Sequence, residues 1–410
     1  MNGNEKVRLF DGAPTTPSMN AIKDSVHDYI GLDALAEDLV DAPEMQRLRH
    51  VKQLSTVRLV YPSANHTRFE HSLGVYHLAS RALDHLEIDG DRARHVRAAA
   101  LLHDIGHGPY GHQTEEVIRR RTGAHHDEIG HLLDGTEVAA ALVAHGLDPD
   151  RVAAIVRGEG ELGQLVSGEL DVDRMDYLVR DAHHTGVPYG TIDTGRLVRE
   201  LRYRDGELVL AAGNVQTAES LLLARALMNG TVYRHHVSRI AGAMLERASE
   251  RLLDAGAVGV DEFRRMADHD LLVALRDHVP DLGRRIERRD LYKRAVWQPL
   301  AGVPADVVGM DYEAARAAAA EIADAAGVDP DDVLVDVPAR PRFTESRTRV
   351  VVDGAVRRLE EASELVTGLR AAERTQWRLG VYAPAAATDD VRDAAADVLG
   401  LAESRSGTGE

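Results

Sequence analysis

Apolar residues recur every three or four positions along most of the chain between Ile22 and Glu250, the period of helices buried on one face. The pattern predicts helices over 33–54, 70–87, 92–104, 113–121, 136–145, 149–157, 173–183 and 216–253. Glycine and proline break it where a helix must stop, as in Gly106-His107-Gly108-Pro109 and Gly186-Val187-Pro188. Leu201 to Leu210 follows a different rule: two short apolar runs flank Asp205-Gly206, which predicts a tight β-hairpin. The expected fold is mainly α, a helical bundle carrying one short hairpin.

Beyond about 255 the pattern changes. Ala314–Ala326 reads as an Ala-rich helix closed by Gly327-Val328-Asp329-Pro330, and Asp332–Val337 and Arg347–Val352 read as strands. The chain therefore divides into a flexible N-terminus over 1–21, a helical domain over 22–254 and a smaller C-terminal α+β region over 255–385. The Ala/Asp/Ser/Gly composition of 386–410 predicts a disordered tail. The C-terminal region is assigned to scaffolding and assembly, without site residues.

Composition narrows the chemistry. No apolar run reaches the roughly 20 residues of a membrane helix, so no membrane association is expected. The N-terminus lacks a charged-then-apolar leader pattern, which predicts a cytoplasmic protein. There is no cysteine, so any metal must be held by His, Asp and Glu. The formal charge is -18, and lysine occurs only at Lys6, Lys23, Lys52 and Lys293. That acidic, Lys-poor balance resembles proteins of salt-loving archaea. It disfavours broad nucleic-acid binding but permits a nucleotide in a local Arg-lined pocket.

Candidate chemistry centres on His103-Asp104-Ile105-Gly106-His107, at the polar end of the apolar run Ala98–Leu102. Burying His103 and Asp104 without a partner is costly. A second His lies upstream in Arg68-Phe69-Glu70-His71-Ser72, and Asp171-Val172-Asp173 opens a helix on which Asp173, Asp176, Tyr177 and Arg180 share a face. Two imidazoles and two carboxylates suit a divalent metal and leave room for water and a phosphate oxygen. Metal-assisted hydrolysis of a phosphoester follows.

The stretches Gln46–Leu54, Tyr61–Gly74, Leu102–His112, His125–Glu128 and Asp171–Gly186, in this order and spacing, resemble the HD-domain phosphohydrolases. The closest likeness is to the branch of deoxyguanosine triphosphatases and SAM-and-HD-domain dNTP triphosphohydrolases, over roughly 22–250. That resemblance implies an HD helical bundle and one divalent metal ion per subunit (Mn, Fe, Ni, Zn, Co or Mg) held by His71, His103, Asp104 and Asp173. It implies catalytic roles for His107, His112 and His126, one of which protonates the leaving oxygen, with Asp41 orienting a histidine. Arg68 would contact the α-phosphate and Arg174 a further phosphate oxygen. Gln53, Leu54, Tyr177, Asp181 and Tyr233 would line the sugar, where Tyr233 would collide with a 2′-hydroxyl.

The expected activity is conversion of a deoxynucleoside triphosphate and water to a deoxynucleoside and triphosphate, by a homo-oligomer. Two alternatives keep the same residues. One is HD-type hydrolysis of another nucleotide or of an RNA end; the other is a low-turnover nucleotide-sensing protein.

Overall fold

The computed structural model describes residues 20–340 and 348–402. At its centre lies the helix Arg68–His85, which Thr67 and Glu70 cap reciprocally: the Glu70 carboxylate accepts the Thr67 N–H at 2.6 Å. Phe69, Leu73, Tyr76 and Leu83 are buried on one side and His71, Val75, Leu78 and Ala82 elsewhere around it, so this helix is enclosed rather than amphipathic. Gly90–Leu102 packs against it, burying the run Ala98–Leu102 completely, and ends where His103 begins. Val172–Thr185 packs on its other flank, capped by the Asp171 carboxylate on the Arg174 N–H and closed by Gly186 at φ 74°.

These two flanking contacts determine where the functional side chains meet. Gly74 faces the second of them: a Cβ there would lie 1.9 Å from Asp176 Oδ1 and 2.5 Å from Arg180 Nη2. Only glycine lets the helices approach this closely while a carboxylate and a guanidinium occupy the seam.

The mainly α expectation holds, as does the hairpin Leu201–Arg204/Glu207–Leu210, whose Asp205 and Gly206 both take positive φ. Three expectations are corrected. The region 33–54 is two helices, Ala34–Asp41 and Pro43–Arg47, followed by short 3₁₀ turns. Pro43 restricts Ala42 to extended backbone and ends the first helix. The region 216–253 is likewise split into Val215–Met228 and His236–Asp254 by a wide π-type turn, Asn229–Tyr233.

The third correction concerns the tail. Within 386–402, Thr388–Val398 is a helix whose Val391, Ala394 and Ala395 are buried against the strand Lys293–Pro299 and the helix Tyr312–Ala326. Its small apolar side chains at three- and four-residue spacing make a buried face that composition alone conceals. Residues 403–410 lie outside the described residues, as do 1–19 of the expected flexible N-terminus. Residues 20 and 21, read as the end of the flexible N-terminus, and 22–32, read as the domain's start, form a hairpin, Asn20–Asp24 with Asp28–Leu32.

The helix Tyr312–Ala326 and strands Leu334–Asp336 and Arg349–Val352 match the predicted α+β character. Leu334–Asp336 and Lys293–Pro299 flank Arg378–Ala383 in an antiparallel sheet. Arg349–Val352 and Ala355–Arg358 instead return to extend the Leu201–Leu210 hairpin, with Leu210 opposite Val350. Residues beyond 255 are thus woven into the helical part. Gly74→Ala is expected to destabilise the fold by about 1–3 kcal/mol, the usual cost of overpacking, read as a lower thermal or urea midpoint; an unchanged midpoint contradicts the close approach.

Candidate active site

His71, one turn into its helix, and His103, at the end of the preceding-turn helix Gly90–Leu102, present their rings edge to face at 5.1 Å. The His71 Nδ1 faces Asp176 Oδ2 at 2.7 Å and the His103 Nδ1 faces the Ala100 carbonyl at 2.9 Å. Each ring therefore donates from Nδ1. That leaves two Nε2 lone pairs 3.3 Å apart, which also face Asp173 Oδ1 at 2.8 and 3.8 Å. Asp104 Oδ1 lies 3.5 Å from His103 Nε2. With both rings neutral, four acceptors converge here, an arrangement that a cation at their centre satisfies in place of the proton that His71 otherwise holds against Asp173.

The field at this point is strong. Burial opposes charge on the His71 ring, yet the hydrogen bonds and charges of Asp173 and Asp176 outweigh it and push its pKa up to about 10. Burial likewise opposes charge on Asp104, but Arg68, His103 and His107 hold its carboxyl well below the usual range. The residues present fit a divalent ion of the Mn, Fe, Ni, Zn or Co kind, and Mg less well.

Behind the ligands stands a buried charged network that the expected site did not include. Asp176 also accepts from Arg180, Nε to Oδ2 at 2.9 Å and Nη2 to Oδ1 at 3.0 Å, and lies 2.6 Å from His27 Nε2. Arg180 reaches Asp24 at 2.8 Å. Asp24 and His27 belong to the N-terminal hairpin and its turn, so that hairpin anchors the orientation of His71. The signal for Asp176 was the shared helical face with Asp173; nothing local marks His27.

His107 lies next to the ligands, Nε2 to Asp104 Oδ1 at 3.3 Å, and stacks on His126 at 4.0 Å; His112 stands edge-on to His107 at 4.6 Å. Burial and the Arg68 charge drive the His107 pKa well below its ordinary value. One carboxylate organises the others: Glu115 accepts from His112 Nδ1 at 2.7 Å and from His126 Nδ1. Burial opposes charge on His126, but Glu115 outweighs it and raises the pKa. Asp41 does not take this role. It is exposed at the end of Ala34–Asp41, and the described hydrogen bonds of these histidines go elsewhere. The i,i+3 spacing of His112 and Glu115 on one helix is the signal that identifies the orienting acid.

Arg68 is buried against Asp104, Nη1 to Oδ2 at 2.9 Å, and its Nε has no partner. Arg174 is placed differently from Arg68: its guanidinium donates to the Gly168 and Glu169 carbonyls at 2.7 and 2.8 Å and holds the loop before its helix. Tyr177 lies 6.4 Å from the His71 ring and 6.1 Å from Tyr233. The Tyr233 hydroxyl donates to Asp181 Oδ2 at 2.8 Å, and His66 Nε2 meets Asp181 Oδ1 at 2.7 Å. The Gln53 N–H donates to the His66 carbonyl, which sets Gln53 and the buried Leu54 beside this wall. A cleft of about 800 Å³ opens beside His112 and Tyr233, lined also by Arg119, Arg120 and Arg239 but not by His71, His103, Asp104 or Asp173.

The chain matches the family model described as HD domain over residues 68–181, which holds all four expected ligands, and the one described as HD associated region over 192–408. It belongs to the HD-domain phosphohydrolase superfamily. Within this HD family it falls in the SAMHD1-like branch. It is 33% identical over 393 residues to an uncharacterized protein of Methanocaldococcus jannaschii, covering 92% of this chain and 81% of that one. It is 27% identical over 343 residues to the human deoxynucleoside triphosphate triphosphohydrolase SAMHD1, covering 67% of this chain and 55% of the human one. The crystal structure of a phosphohydrolase from Bacteroides thetaiotaomicron is similar with TM-score 0.72 and 27% identity, over 89% of this chain and 100% of that one. HD domains bind divalent metals, and the His71–His103–Asp104 group is a candidate for such a site.

Asp176→Asn keeps the shape of the carboxylate but removes the charge behind His71. Removal of such a partner weakens metal affinity by about 10–100-fold. Titration of the apo-protein with Zn²⁺ or Mn²⁺ measures this; wild-type affinity in the variant contradicts the orienting role.

Proposed function

We propose that the protein is a deoxynucleoside triphosphate triphosphohydrolase, acting on the α-phosphorus with one divalent ion held by His71, His103, Asp104 and Asp173. The observation that carries the reading is the contact between the metal cluster and the Tyr177–Tyr233–Asp181 wall, ring to ring at 6.4 and 6.1 Å. A phosphate-binding end and an aromatic, hydroxyl-binding end lie about one nucleoside unit apart. The naming of relatives at 26–28% identity as deoxynucleoside triphosphate triphosphohydrolases supports the same choice.

When bound, the ion polarises the phosphoryl oxygen and the attacking water. The protein's own groups do the rest. Arg68, fixed by Asp104, offers its unpartnered Nε to an α-phosphate oxygen. The Glu115-linked pair His112 and His126 supplies a proton to the departing 5′-oxygen, with His126, whose pKa Glu115 raises, as its protonated member. Tyr233, locked on Asp181, forms the floor of the sugar site, and the ring excludes a 2′-hydroxyl. Tripolyphosphate leaves and the deoxynucleoside follows. The assembly acting on it is a homo-oligomer.

A panel of dNTPs, NTPs, monophosphates and cyclic nucleotides tests this with Mn²⁺ present. The expected products are deoxynucleoside and tripolyphosphate from dNTPs, with NTPs at least about tenfold slower, the discrimination of one well-placed steric or polar contact. Release of monophosphate or pyrophosphate, or faster turnover of another nucleotide, contradicts it. Tight nucleotide binding without product favours a sensor.

A further inference from the structure

Asp268 opens the helix Asp268–His278 in the HD associated region and is 9% exposed. Among the described residues, no cationic side chain donates a hydrogen bond to its carboxylate. Instead each oxygen takes one main-chain N–H from a different part of the HD half: Oδ2 accepts Lys52 N–H at 3.0 Å and Oδ1 accepts Tyr110 N–H at 2.7 Å. Lys52 precedes Gln53 and Leu54, on the sugar side of the site. Tyr110 sits between His107 and His112, on the proton-donating side. A single buried carboxylate thus bridges the two walls between which a nucleotide would lie.

The Tyr110 side of the bridge is the one that needs holding. Tyr110 has φ 58° and Gly111 φ 52°; the positive φ is one that a bulky L-residue such as Tyr110 rarely adopts. A Cβ on Gly111 would lie 2.5 Å from Arg68 Nη2, so this backbone presses directly on the phosphate-facing guanidinium. His112 begins the next helix immediately afterwards. Ser55 Oγ donates to the Tyr110 carbonyl at 2.5 Å, and Arg47 donates to the Ile105 and His107 carbonyls at 2.9 and 2.6 Å. The unusual turn is therefore gripped on its N–H by Asp268 and on its carbonyls by Ser55 and Arg47. An apolar residue at 268 would fill the space but leave two buried N–H groups without partners.

We propose that Asp268 is a positioning residue of the reaction, through which the HD associated region sets the distance between the proton-donating turn 107–112 and the sugar-side segment 52–54. The proposal rests on the phosphoester-hydrolase reading above, and in particular on proton donation from the His112–Glu115–His126 group. It revises the expectation that the region beyond 255 contributes nothing to the site.

The test compares two leaving groups. A nucleoside 5′-oxygen is a poor leaving group and needs the proton; p-nitrophenolate is a good one and does not. Asp268→Asn puts an amide N–H against one of the two main-chain donors while preserving size. For this variant we expect kcat for the nucleotide to fall at least about tenfold, within the range that general acid catalysis supplies. Turnover of bis(p-nitrophenyl) phosphate should stay within about twofold and metal content should be unchanged. Ser55→Ala, which loosens the same turn from its carbonyl, should show the same selective loss to a smaller degree and carries the test if Asp268→Asn unfolds. Equal losses on both substrates, or wild-type kcat on the nucleotide, overturn the proposal. The nucleotide used is whichever wild type cleaves fastest. An incorrect dNTP reading therefore shows in the wild-type panel, whereas failure of this proposal shows in the ratio between the two substrates.

Discussion

The buried relay from Asp24 through Arg180 and Asp176 to His71 is the interaction on which the centre depends. Its members are linked at 2.7 to 2.9 Å and have almost no solvent access. Charges so far from water are tolerated only as a complete set; removing one member of such a pair typically costs about 3–5 kcal/mol. Followed onward through Asp173, His103, Asp104 and Arg68, the linked set contains four carboxylates and two guanidiniums. With the imidazoles neutral, as ligation to a metal requires, it is two charges short of neutrality, the charge of one divalent ion; without the ion the proton on His71 supplies part of that charge. The fold has therefore built a place for a cation by electrostatics as well as by ligand geometry.

The same relay explains why distant parts of the chain are needed. The N-terminal hairpin supplies Asp24 and His27, the central helix supplies His71 and the open face at Gly74, and the helix Val172–Thr185 supplies Asp173, Asp176 and Arg180. Glu115 does for His112 and His126 what Asp176 does for His71: a carboxylate fixes the orientation of the ring it meets.

What was legible in the sequence follows from how local each signal is. His103-Asp104 at the end of an apolar run, and the Asp173-Asp176-Tyr177-Arg180 face, are written in neighbouring residues, so the convergence of these side chains and the main helices could be anticipated. The interruption at Ala42–Pro43 was also visible, but the apolar period continued through it. Asp41 was assigned by position in a family pattern, whereas Glu115 is identified by a contact that needs two segments folded together. The hairpin around Asp24 and His27 has mostly exposed strands and therefore no strong apolar alternation to announce it. In Thr388–Val398 the buried face is made of Ala and Val among Asp, which reads as solvated chain until its partners are present. The grip of Asp268 on Lys52 and Tyr110 spans more than 150 residues and has no local trace.

Anomalous diffraction from crystals grown with Mn²⁺ tests the central claim most directly, because two His/carboxylate clusters lie side by side. One peak per chain is predicted, in contact with His71 Nε2, His103 Nε2 and the carboxylates of Asp104 and Asp173. A peak among His112, Glu115 and His126 with none at His71, or no bound ion while the fold is intact, would contradict the account.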